Sequence, residues 1–138
     1  MDLMPDDIRT RLLANGAATV EIDDIPVVKF FNPTGAATWL ITEMMPDEPD
    51  ILFGLCDLGT GYPELGYVSL SELQSVKGRL GLGIERDVYF TARYPLSVYA
   101  EAARIAGGIT ESEDMLARAA AALGRPSPSH SELPPKGG

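Results

Sequence analysis

Apolar positions change rhythm several times along this chain, and each rhythm predicts an element. Met4-Pro5-Asp6-Asp7 followed by IRTRLLANG carries Ile8, Leu12 and Leu13 at helical spacing. Pro5 suits the first helical position, Asp6 and Asp7 complement the positive helix end, and Asn15-Gly16 supplies a left-handed stop. Residues 17–25 are polar and acidic and read as a connector or short strand. Four short strand candidates follow: 26–31 (PVVKFF), 36–43 (AATWLITE), 51–57 (ILFGLCD) and 64–70 (ELGYVSL). Their connections are too short to hold a crossover helix, so they predict an antiparallel meander. Ser69 and Glu72 form a capping box for a helix reaching about Leu80, and Gly81-Leu82-Gly83 ends it. A fifth strand is expected over 84–91. Pro95 then starts a helix that Gly107-Gly108 stops, with Leu96, Tyr99 and Ala103 on one face. Thr110 and Glu113 suggest a capping box for a last helix over Glu111 to Leu123.

The expected fold class is α+β: one small domain, an antiparallel four- to five-stranded meander packed against two or three helices. Residues 1–108 would form the domain and 109–123 a peripheral helix. Residues 124–138, rich in Pro, Ser and Gly, would be a disordered tail.

Charge changes the picture. The formal net charge is −9 over 138 residues, and it is unevenly spread. Residues 1–72 hold 13 acidic and 3 basic side chains, a balance of −10, whereas 73–138 hold 7 and 8, a balance of +1. Between Lys29 and Lys77 there is no Lys or Arg, while Glu43, Asp47, Glu48, Asp50, Asp57, Glu64 and Glu72 fall in that gap. Direct nucleic-acid binding needs a basic surface, and half of the chain lacks the residues for one. A basic protein partner, or one that itself binds nucleic acid, suits this field, although an acidic face that only aids solubility would look the same. The acidic start, the absence of a long apolar run and the single cysteine, Cys56, predict a cytoplasmic protein with no membrane association and a reduced thiol.

Several chemistries are disfavoured. The one histidine, His130, lies in the tail, so the body offers no Ser/His/Asp triad, Cys/His pair or His-ligated zinc. Cys56 sits mid-strand among apolar residues beside Asp57, which favours the inert thiol. Gly59-Thr60-Gly61-Tyr62-Pro63-Glu64 lacks both the third glycine of a dinucleotide fingerprint and the Walker lysine, and reads as a turn whose glycines reach positive φ. A meander places Glu43 away from Asp57 and Glu64, leaving a carboxylate pair that is too little for a metal. No cofactor, metal or catalytic residue is therefore expected.

Strict alternation puts Trp39, Ile41 and Glu43 on one strand face. Gly54 lies mid-strand with Leu52 and Cys56, and Gly66 lies with Glu64 and Val68. Mid-strand glycines mark bulges or a close neighbour, so Trp39 either packs over Gly54 or lines a shallow pocket. The binding candidates are Trp39, Asp57, Tyr62, Glu64 and Tyr67, with Asp57, Tyr62 and Glu64 free of any structural duty in this reading.

Residues 31–90 carry the segments ATWLITE, FGLCDLG and PELGYVSLSEL, and together these resemble the bacterial family called domain of unknown function 2958. The likeness runs from the first helix to about Gly108. It implies small cargo of conjugative plasmids and integrated mobile elements, and it carries no catalytic residues onto the chain. The leading expectation is a non-enzymatic accessory protein that binds an unknown protein partner through its acidic surface. A sharper form is a nucleic-acid mimic that inhibits a host defence protein. The alternative is a small-molecule or peptide binder, with or without enzymatic activity, with a shallow pocket near Trp39 and the 57–67 turn. Interaction through a strand edge would make the chain a homodimer, and otherwise a monomer is expected.

Overall fold

The computed structural model describes residues 1–125. It shows one antiparallel sheet of five strands flanked by four α-helices, a single-domain α+β fold. The chain runs α1 (Asp6–Gly16), β1 (Val28–Phe31), β2 (Thr38–Met44), β3 (Ile51–Asp57), β4 (Glu64–Ser69), α2 (Leu70–Ser75), β5 (Glu85–Arg86), α3 (Leu96–Ala106) and α4 (Glu113–Ala122). The sheet order is β4-β3-β2-β1-β5, a four-stranded meander with β5 added beside β1.

Helices cover both faces. Ile8 and Leu12 of α1 and Leu70 and Leu73 of α2 pack with Phe30, Trp39, Ile41, Met44 and Leu52. On the opposite face Leu40 and Leu55 pack with Val98, Tyr99, Ala102 and Ala103 of α3 and with Leu116, Ala119 and Ala120 of α4. Each fully buried Leu, Ile or Phe contributes about 1.5–3 kcal/mol, so two cores, one per face, hold the sheet. The small residues of α4 let it dock closely against α3. The expected tail lies outside the described residues, except for Gly124 and Arg125.

Several boundaries differ from the sequence expectation for identifiable reasons. Pro5 and Pro95 are N-caps rather than first helical residues. Gly16 is not left-handed. A Cβ there would stand 2.0 Å from the Met44 carbonyl oxygen, so its role is close approach of α1 to β2. The helix after Ser69 stops at Ser75, and only Arg79–Gly81 turns again as a short 3-10 segment. The fifth strand keeps two residues, Glu85 and Arg86, opposite Phe31 and Phe30, and the Asp87 amide adds a hydrogen bond to the Lys29 carbonyl at 3.0 Å before the chain leaves β1. The last helix is capped by Ser112, whose Oγ accepts from the Met115 amide at 3.3 Å, rather than by Thr110.

The register of β2 on β3 breaks once. Ile41 lies opposite Gly54 and Glu43 opposite Phe53, leaving Thr42 as the extra residue of a β-bulge. Gly54 makes this possible, because a Cβ there would lie 2.0 Å from the Leu40 carbonyl oxygen and 2.8 Å from the Ile41 Cα. Thr42 donates its hydroxyl to the Phe53 carbonyl at 3.4 Å, and Asn15 of α1 donates to the Thr42 carbonyl at 2.9 Å. The bulge flips the end of β2. Met44 joins Ile41 in the α1 core, and Glu43 turns to the opposite face, away from the side that strict alternation assigns it.

Candidate functional site

The five residues singled out from the sequence do not converge. Trp39 is 6% exposed and packs in the core under α1. Tyr62, 80% exposed, stands in the β3–β4 turn, where Gly59 and Gly61 do adopt positive φ. Glu64 starts β4 opposite Cys56, on the α1 side of the sheet. Asp57 has a structural duty after all, and is 7% exposed. Its carboxylate accepts from the Gly59 amide and, across the molecule, from the Ile109 amide, both at 2.8 Å. It thereby ties the α3–α4 linker to the end of β3, and forms no surface pair with Glu64. Cys56 is half-buried, and burial raises its thiol pKa, which suits a packed rather than a reactive group.

Tyr67 does lie in a concave region, in company that period-2 reading could not supply. The register sets Glu43 opposite Phe53 and Phe53 opposite Tyr67, a row across three strands on the face turned away from α1. The rings of Phe53 and Tyr67 meet at 5.1 Å between centroids, tilted by 56°. Leu65, two residues before Tyr67, shares their face and is 50% exposed, while Tyr67 is 67% exposed. The connector 20–24 passes alongside this row. Two adjoining clefts, of about 310 and 410 Å³, share Glu21, Ile22, Asp24, Glu43 and Phe53 as walls.

The electrostatics are one-sided. Glu43 has a raised pKa, first because burial strips water from it and then because Asp24 and Glu21 stand near. Asp24 is raised by burial and then by Asp23. Among the described residues neither carboxylate receives a hydrogen bond or an ion pair. Asp23 is different: it accepts from the Ser97 amide at 3.0 Å and from its hydroxyl, so it caps α3, and it pairs with Arg125 at 3.0 Å. No group of three or more described His, Cys, Asp or Glu residues is placed to hold a metal ion. The region therefore presents an apolar strip, Phe53, Leu65 and Tyr67, beside the carboxylates of Glu43 and Asp24, while Arg125 at its rim is held by Asp23.

The sequence reading missed Glu21, Asp24, Glu43, Phe53 and Leu65. The acidic run 21–24 was visible, but nothing local says that it returns to the sheet. The one usable signal was mid-strand Gly54, which allowed a bulge and hence the turning of Glu43.

Among the described residues no helix is long and apolar enough to cross a membrane. The chain belongs to a family described as protein of unknown function (DUF2958), whose model matches residues 3–110. No curated protein and no solved structure matches the chain.

Proposed function

We propose that this member of the DUF2958 family is a non-enzymatic accessory protein of a conjugative plasmid or other mobile element, acting by binding a basic protein partner. The observation that carries the binding reading is the exposed strip of Leu65 and Tyr67 beside Phe53, bordered by Glu43 and Asp24, which make no ion pair among the described residues, since Arg125 in the cleft wall pairs with Asp23. Apolar contact area with adjoining like charge is the surface a cationic protein complements, since charge steers the encounter and apolar burial holds it. The mobile-element setting rests on the resemblance of residues 31–90.

Nucleic-acid mimicry draws on the same charge, but a mimic of phosphates has no use for exposed Leu65 and Tyr67, so a mixed apolar and ionic protein interface is the better-supported form. A small ligand in the two clefts is the alternative. It would have to use Tyr67 and Phe53, since Trp39 is enclosed.

Affinity capture from the native host, comparing the natural chain with Asp24→Lys/Glu43→Lys, tests the reading. A basic protein retained at low salt, released as salt rises and lost with the variant is the expected result. An identical set of captured proteins for both chains, insensitive to salt, would falsify it.

A further inference from the structure

The pairing pattern of β4 shows which of its backbone groups are free. In an antiparallel ladder, opposed residues alternate between pairs that exchange hydrogen bonds and pairs that do not. The Leu70 amide donates to the Asp50 carbonyl at 2.8 Å, one step beyond the pair Ile51 and Ser69. Alternation then directs the amides and carbonyls of Val68, Gly66 and Glu64 at β3. The amides and carbonyls of Tyr67 and Leu65 and the amide of Ser69 point outward, along an edge with no neighbouring strand among the described residues.

Edges of this kind are normally blunted by lysine, proline, brevity or cover. The six residues ELGYVS contain no Lys, Arg or Pro, and Glu64, Leu65 and Tyr67 are exposed, so no described element covers them. The side chains of Leu65 and Tyr67 are exposed on the face that carries Phe53 and Glu43. Backbone donors and acceptors, apolar side chains and charge thus coincide on one strand.

We propose that an extended, cation-bearing segment of a partner protein adds to the free edge of β4 as a sixth strand, placing a Lys or Arg over Tyr67 and an apolar residue beside Leu65. This rests on the protein-binding reading above and specifies its contact. The residue opposite Tyr67 becomes the fourth in the row Glu43, Phe53, Tyr67. Three strand spacings, about 14 Å, separate its Cα from that of Glu43. A long cationic side chain lying over the aromatic rings spans about half of that gap, with a cation–π contact on the way, and the Glu43 side chain shortens the rest. In the antiparallel sense the added segment reads cation, any residue, apolar. A second copy of this chain is the poorer occupant. It would bring the same acidic half, with a balance of −10 over residues 1–72, to the seam, so long-range repulsion opposes the encounter.

The probe is a capped eight-residue peptide of threonines carrying one arginine and, two residues later, one leucine. It is titrated into the full chain while amide exchange is followed by NMR. Two further peptides serve as comparisons: one with glutamate for arginine, and one N-methylated on the amides that would face β4. Strand addition predicts new protection at Leu65, Tyr67 and Ser69, and binding at least about tenfold weaker for both comparison peptides, equivalent to losing one or two hydrogen bonds or a charge contact. Tyr67→Thr should weaken the arginine peptide by about fivefold, the loss of an exposed cation–π contact. Leu65→Thr is a second edge variant should the first fail to fold. Equal binding of the N-methylated peptide would overturn strand addition and leave the acidic-surface reading standing. Binding that does not distinguish arginine from glutamate, or no binding at all, would overturn the proposal, and the host capture then decides whether the wider reading falls with it. Protection of the same three amides without peptide, together with a dimer by light scattering, would assign the edge to a second copy and overturn the proposed occupant.

Discussion

The sheet has two edges, and they are built differently. β5 is two residues long, both charged, and its surroundings are neutralised. Lys29 reaches Asp87 at 3.4 Å and Glu111 at 2.5 Å, and Arg93 pairs with Glu113 at 3.3 Å. Shortness and charge are two of the devices that keep an edge from pairing. β4 is six residues long, has two exposed apolar side chains on one face, and lies near carboxylates without partners. The β5 edge is short and charged, with Val88 and Tyr89 exposed just beyond it, whereas β4 keeps a longer row of hydrogen-bonding groups with apolar side chains on the strand itself.

The largest expected effect removes both edges at once. Gly54→Ala places a Cβ against the β2 backbone, and separating the central strands should cost more than about 3 kcal/mol. Chemical denaturation would read it, with amide protection lost at β4 and β5 together. Retention of natural stability would show that the bulge is not the joint between them.

Asp57→Ala should act on one side only. It leaves the Gly59 and Ile109 amides without their acceptor and should cost about 2 kcal/mol. Hydrogen exchange should quicken in the α3–α4 linker and the β3–β4 turn while β1 and β5 stay protected.

Tyr67→Lys should separate binding from folding. It should lower affinity for the cationic partner proposed above by about tenfold while changing stability by less than about 0.5 kcal/mol, as exposed substitutions do. Glu85→Lys on the opposite edge should leave affinity unchanged. Equal losses from both would abolish the distinction between the edges.

The smallest effect is a pH dependence. The folded pKa of Glu43 is raised, so its ionised form weakens the fold at pH above that raised value, and the penalty fades as pH falls through it. Glu43→Gln should raise the midpoint of unfolding at neutral pH, with the difference vanishing below the ordinary carboxylate range. Asp50 titrates in the opposite sense. Hydrogen bonds from the Ser69 hydroxyl, then the Ser71 amide and hydroxyl, lower its pKa, so its support for the α2 start is present at neutral pH and lost in strong acid.

Much of this protein is legible one residue at a time. Short connections decide an antiparallel meander, and Ser69 caps α2 through its own neighbour, its hydroxyl oxygen accepting from the Glu72 amide, although Asp50, just before β3, adds support. Gly107 ends α3 in the left-handed conformation, and Gly59 and Gly61 shape the β3–β4 turn, for equally local reasons. The base-free stretch from Phe30 to Val76 is likewise a property of composition alone. Tertiary structure decided the rest, because each remaining feature depends on a partner far away in the chain. Asp57 becomes structural through Ile109, and Asp23 through Ser97. Glu43 changes face because one extra residue in β2 shifts a register of period two, which no pattern within β2 records. The free edge of β4 exists only because β5 joins the sheet beside β1 instead of beside β4, a choice made by long-range pairing rather than by either strand's own sequence.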